Sequence, residues 1–162
     1  MDWREAFFCQ ARSENKIMTL LNARGVEYSH QLHYIQMVTE KLAKGFLAKA
    51  GRAEWQQTSH AAFVTMLRTI KGRPDVRTQL GYKDSQSFNR YIDSLLPLAD
   101  KIEKLAPALA GTTRPNPEYP WKDRGSSDVL VPAGFAFPEF DPSDPVMVKL
   151  MNLIRQLLHI AI

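Results

Sequence analysis

The sequence predicts an all-α fold: an up-and-down bundle of four to five helices, with a Pro- and aromatic-rich extended arm ahead of the C-terminal helix. Three observations lead there. Apolar residues recur at helical spacing in four long stretches. Short breaks carrying Gly, Pro, Ser or Asp separate most of them, and short connections suit antiparallel neighbours in a bundle. Between Gly111 and Pro145 the periodicity stops, and seven of the ten prolines lie there. A single domain over residues 1–162 follows, with a bundle core over 1–110, the arm over 111–145 and the last helix over 146–162.

The first helix is expected from Asp2 to Ala23. Its apolar stripe is Trp3, Phe7, Ala11, Met18 and Leu21, and Arg4, Arg12 and Lys16 lie on the polar face. Gly25 supplies the stop. The second helix spans Ser29 to about Ala50, with Ile35, Val38, Leu42 and Phe46 on one side and Gly51 closing it. Thr58 or Ser59 caps a third helix that runs through Thr69 and carries Phe63, Met66, Leu67 and Ile70. Pro74 then opens a short helical turn over Asp75 to Leu80.

Asp84 or Ser85 begins a longer segment bearing Phe88, Ile92, Leu95, Leu96, Ile102 and Leu105. Pro97 is expected to kink or break it, because the ring removes one backbone donor and clashes with the preceding turn. The arm sets Tyr119, Trp121, Phe135, Phe137 and Phe140 among its prolines. Rings of that size gain by burial, so the arm reads as an ordered segment packed on the helices, with a short strand at Val129 to Val131. Tyr119 and Trp121 read as packed anchors rather than as stacking platforms for bases. The last helix runs from Asp144 to Ile162 with Val146, Leu150, Leu153, Ile154, Leu157 and Leu158 on one face. It either docks on its own bundle or forms a dimer interface.

Composition narrows the function classes. No apolar run approaches the roughly 20 residues of a membrane-spanning helix, so no membrane association is expected. The first residues carry both signs of charge and no apolar core, so no signal peptide is expected. Cys9 is the only cysteine; a disulfide within the chain is impossible, and a reducing cytoplasm suits it. Lying between Phe8 and Ala11, Cys9 reads as a packed thiol rather than a nucleophile. The net charge of +4 is uneven: Lys41 to Arg77 holds eight basic residues against Glu54 and Asp75, leaving −2 for the rest. That segment reads as a solvated helical face that could also attract phosphate, through Lys41, Lys44, Arg68, Lys71 and Arg73.

The most distinctive string lies on the second helix, from Gln36 to Leu47. Gln36, Glu40 and Lys44 are spaced by four and line one face, and Glu40 and Lys44 have the favourable order for a side-chain pair. Taken by itself this is a surface ladder that stabilises the helix. Gln36, Glu40-Lys41 and Lys44, preceded by a helix with Trp3 and Ala11 and followed by Ser59-His60, resemble the pattern of the HEPN (higher eukaryotes and prokaryotes nucleotide-binding) family over roughly residues 1–109. The resemblance implies a helical bundle that commonly forms homodimers, often in prokaryotic defence or toxin–antitoxin settings. It also implies, for some members, metal-independent RNase activity from an Arg and a His with four to six residues between them, near the later helices and brought together across a dimer, the Arg stabilising phosphate charge and the His acting as acid or base.

Arg24 and His30 meet that bare spacing, but they flank the turn between the first two helices. Glu118 stands where some members carry the Arg of an Arg-Tyr-Pro string. The expectation is therefore a non-catalytic module that binds RNA, a nucleotide or a protein partner, with Gln36, Lys41, Lys44, Arg68, Lys71 and Arg73 as its contacts. An RNase using Arg24 and His30 is the alternative, and a homodimeric interaction protein joined through the arm and last helix is the third reading. No metal or cofactor is expected: His30 and His33 share a helical face, but no Cys or carboxylate at ligand spacing completes a site.

Overall fold

The computed structural model describes residues 1–48, 60–110, 114–123, 125 and 127–160. Among them are seven helices: α1 (Trp3–Ala23), α2 (Tyr28–Leu47), α3 (Phe63–Ile70), α4 (Pro74–Gln79), α5 (Ser85–Glu103), α6 (Pro107–Ala110) and α7 (Pro145–Ile160). A two-stranded antiparallel ribbon joins β1 (Trp121–Lys122) to β2 (Val129–Leu130), pairing Trp121 with Leu130. The fold is an all-α bundle. The expected stop at Gly51 and end at Ile162 lie outside the described residues, as do Thr58 and Ser59 themselves; the third helix nonetheless starts later than expected, at Phe63 with Ala62 as its cap.

Local chemistry sets the ends of α1. Asp2 accepts from the Glu5 amide at 2.8 Å while Glu5 accepts from the Asp2 amide at 3.0 Å, a reciprocal capping box. At the other end Gly25 has φ +63°, and its amide and that of Val26 return to the carbonyls of Asn22 and Leu21. Four residues, Arg24 to Glu27, then turn the chain so that α1 and α2 pack along their lengths.

Burial on α1 follows Phe8, Ala11 and Met18. The expected stripe was rotated by about one residue: Trp3 is exposed, and so is Cys9, which corrects its reading as a packed thiol. Helix α2 is the central element. Leu32, Ile35, Val38, Leu42 and Ala43 are buried together with polar residues of the opposite side, and the helix touches α1, α3, α5 and α7.

Gly45 permits a close approach of α2 to α1. A Cβ there would lie 2.4 Å from the Phe8 ring, which packs edge-on against Phe46 at 5.3 Å and under the Arg4 guanidinium.

Helix α3 buries Phe63, Met66, Leu67 and Ile70, as its spacing predicts. It has no side-chain cap of its own at Ala62; Glu103, at the end of α5, accepts from the Val64 amide at 2.8 Å instead. Of the kink or break expected at Pro97 the break does not occur: helix α5 runs continuously through it. Pro97 and Asp93 both lie on the exposed side, so water can serve the Asp93 carbonyl that loses its donor. On the other side Phe88, Ile92, Leu95, Ala99 and Ile102 form one continuous buried stripe.

The apolar face of α7 (Leu150, Leu153, Ile154, Leu157, Leu158) is buried within its own chain against α5, α1 and α2. Arg12 Nε donates to the Leu158 carbonyl at 3.2 Å, satisfying one acceptor of the last turn.

The arm is a packed wall. Trp121, Phe137 and Phe140 are buried, and Trp121 and Phe137 each meet Phe135 edge to face with centroids 4.9 Å apart. Phe137 takes φ +45°, a left-handed backbone costing on the order of 1–2 kcal/mol, which burial of its ring offsets. Tyr28 at the start of α2 donates its hydroxyl to the Phe140 carbonyl; burial, then the charge of Asp141, pushes the phenol well up. Tyr119, read as an anchor, is instead exposed: Asn116 accepts from the amides of Glu118 and Tyr119 in a tight turn that points the tyrosine outward.

Gly45→Ala should lower stability despite gaining about 1 kcal/mol of helix propensity. Overpacking a close helix contact costs about 1–3 kcal/mol, and the Phe8 ring is itself confined by Phe46. Urea midpoints measure the balance; an unchanged or raised midpoint would mean the ring yields freely.

Candidate functional site

Gln36, Glu40 and Lys44 share one face of α2, as their spacing requires, but that face is not the surface ladder expected. They are 5%, 4% and 3% exposed. A carboxylate buried this deeply needs compensation, and four side chains supply it. Lys44 Nζ donates to Oε1 at 2.7 Å and Lys41 Nζ to the same oxygen at 3.2 Å. Gln36 Nε2 donates to Oε2 at 3.1 Å, and His60 Nδ1 lies 2.9 Å from that oxygen.

Burial works to raise the Glu40 pKa. The hydrogen bonds from Lys44 and His60 and the charges of Lys41 and Lys44 outweigh it and hold the carboxyl at about 2. An ionised carboxylate only accepts, so the His60 Nδ1 donates to it and the Nε2 takes no part in that bond. Lys44 also lies 5.9 Å from the centre of the Phe7 ring, so α1 covers the cluster from one side. The outer edge belongs to Lys41 and His60, whose side chains are 18% and 42% exposed.

The remaining predicted residues do not gather around this cluster. Lys71 pairs with Asp93 at 2.7 Å, and Arg73 makes a bidentate contact with Asp75 at 2.9 and 2.6 Å. Arg68 is exposed near the end of α3. Much of the basic segment is thus already compensated, while Lys49, Arg52 and Glu54 lie outside the described residues. Arg24 and His30 are both exposed at the α1–α2 turn, and no hydrogen bond or ion pair among the described residues joins them. His33 turns toward the arm, its Nδ1 3.6 Å from Glu118. No group of three or more His, Cys, Asp or Glu side chains among the described residues is placed to hold a metal ion, and no helix among them is long and apolar enough to cross a membrane.

Sequence reasoning missed the role of His60 as a ligand of Glu40 and that of Glu103 as the cap of α3. Both contacts join residues far apart in the chain. Chemically, the Glu40 cluster can hold a charge-balanced core and present a cationic edge with one oriented imidazole. Comparison of the chain with protein-family models, with curated proteins and with solved structures finds no match in any of the three.

The pH dependence follows from Glu40. Its folded pKa lies below the unfolded value of about 4.5, so its stabilisation is fully present above that pH and is lost as pH falls toward 2. The loss should be on the order of 3 kcal/mol, measured as urea midpoints across that range. Glu40→Gln should flatten this dependence and, by removing the anion on which Lys41, Lys44 and His60 converge, cost about 3–5 kcal/mol at neutral pH. Combining it with Lys44→Met should recover most of that cost; no recovery would mean that the carboxylate, not the buried lysine, sets the penalty.

Proposed function

We propose that the chain is a non-catalytic, HEPN-like module that binds phosphate-bearing ligands, RNA or a nucleotide, in a cytoplasmic and homodimeric setting of the defence or toxin–antitoxin kind. The observation that carries the reading is the convergence of Gln36, Glu40, Lys41, Lys44 and His60 on one carboxylate. These are the residues of the family-like string, and they form a spatial unit. Within it Gln36 and Lys44 hold the core, Lys41 supplies the positive charge at the outer edge, and His60 sets an imidazole beside it that a phosphate would meet. Arg24 and His30, exposed and not joined to each other, have no such support.

A metal-independent RNase is the second reading, and one contact favours a version of it. Glu40 orients His60 through Nδ1 and leaves Nε2 for proton transfer, an arrangement His30 lacks.

Incubating the purified chain with a mixed single-stranded RNA pool in chelator separates the two. Retention without cleavage, weakening steeply from 50 to 200 mM salt, is the expected outcome, because counterion release drives phosphate binding. Cleavage abolished in His60→Ala but kept in His30→Ala would instead make it an RNase acting through the Glu40-held imidazole. Absence of both retention and cleavage would leave a protein partner as the function, and light scattering on the same sample tests the homodimer.

A further inference from the structure

Where α5 ends, the arm folds back over it and leaves a groove of about 610 Å3. Its floor is apolar: Leu130 and the ring of Phe135 are half-buried, with Trp121 and Phe140 packed beneath. Its rim is charged, with Lys101, Lys104, Arg114 and Lys122 against Asp123 and Glu139. Lys101 is engaged by Glu139 at 3.2 Å and Lys104 by Asp100. Arg114 and Lys122 are exposed and have no side-chain partner among the described residues.

We infer that this groove is a nucleoside-phosphate site, in which the phosphate is held by Arg114 and Lys122 and the base lies on Phe135. The inference rests on the phosphate-ligand reading above and adds to it a second site, whose lining shares no residue with the Glu40 cluster, together with its ligand class. Size fits, since small-ligand sites span roughly 300–1,000 Å3. Charge fits, since Lys101 and Lys104 are held by Glu139 and Asp100 while Arg114 and Lys122 make no ion pair among the described residues, and a phosphomonoester brings between about one and a half and two negative charges. The ring decides between anions. A bare phosphate or a run of acidic side chains would use the rim and ignore the floor, whereas a nucleotide engages both at once. Phe135 is also held: Trp121 and Phe137 meet it edge to face, which fixes the ring without covering it completely.

The test is calorimetric titration of the full chain with adenosine and uridine 5′-monophosphates, inorganic phosphate, a short single-stranded RNA and a poly-glutamate peptide. Both nucleotides should bind more tightly than inorganic phosphate, and binding should fall at least tenfold in Arg114→Ala/Lys122→Ala, whose positions are exposed. Phe135→Leu, which keeps apolar volume beneath the arm, should weaken nucleotides by roughly tenfold and leave inorganic phosphate unchanged. Binding of RNA alone, with the same losses, would place the site on a strand rather than a free nucleotide and still support it. RNA or nucleotide binding that survives the double substitution overturns the groove but spares the broader reading. Equal affinity for nucleotide and inorganic phosphate, or binding of the acidic peptide only, overturns the nucleoside assignment. No binding of any phosphate ligand overturns both.

Discussion

A carboxylate removed from water is ordinarily driven toward its neutral form, and Glu40 escapes that only because four donors converge on its two oxygens. Three of them come from α2 itself, at Gln36, Lys41 and Lys44, so a single helix builds most of the cluster. The fourth, His60, comes from the chain just ahead of α3, and the Phe7 ring of α1 lies over Lys44. Three elements thus share one anion. The side of α2 opposite its apolar residues is in this way buried without a continuous apolar surface, and α2 can sit at the centre of the bundle. Apolar residues of similar volume would fill the same space at least as stably; the ionic version fixes which side chains must meet.

The helices were legible because periodicity reports burial directly. Phe63, Met66, Leu67 and Ile70, or Leu150, Leu153, Ile154, Leu157 and Leu158, point one way whatever they pack against. The same logic failed on α1, where Trp3, Phe7, Phe8 and Cys9 offer two neighbouring stripes about 100° apart and the partner helix chooses between them. It chose Phe8, because Gly45 on α2 leaves a space for that ring. The burial of Gln36, Glu40 and Lys44 was hidden for a related reason. A spacing of four places residues on one face but does not say whether that face meets water, and charged residues are rarely buried unless paired. His60 completes the pairing from a position 20 residues away, which local spacing cannot register.

Pro97 and Glu103 illustrate a second limit. The local rule for proline describes what the ring does to its own helix, but the outcome depends on whether the freed carbonyl faces water. Here it does, and the continuous stripe from Phe88 to Ile102 holds both halves in register. The start of α3 obeys the requirement that buried amides be satisfied, yet the acceptor is a carboxylate from another helix. Burial raises the Glu103 pKa while the α3 amides lower it, so this cap carries a desolvation cost that a local serine or aspartate would avoid. In return it ties the end of α5 to the start of α3, and the last turn of α5 then stands where the arm crosses it.

That crossing explains why a segment so rich in proline is ordered. Proline supplies preset turns but no donors, so such a segment must be held by side chains rather than by a hydrogen-bonded ladder. Two paired residues per strand contribute little; the rings of Trp121, Phe135, Phe137 and Phe140 and the Tyr28 hydroxyl do the holding. The aromatics are not all buried equally: Trp121 and Phe137 lie inside, each against Phe135. Phe135 lies between them, half-covered, beneath a rim of cations contributed by α5 and the arm together. The buried rings fix the wall, and the wall in turn holds Phe135 partly facing out.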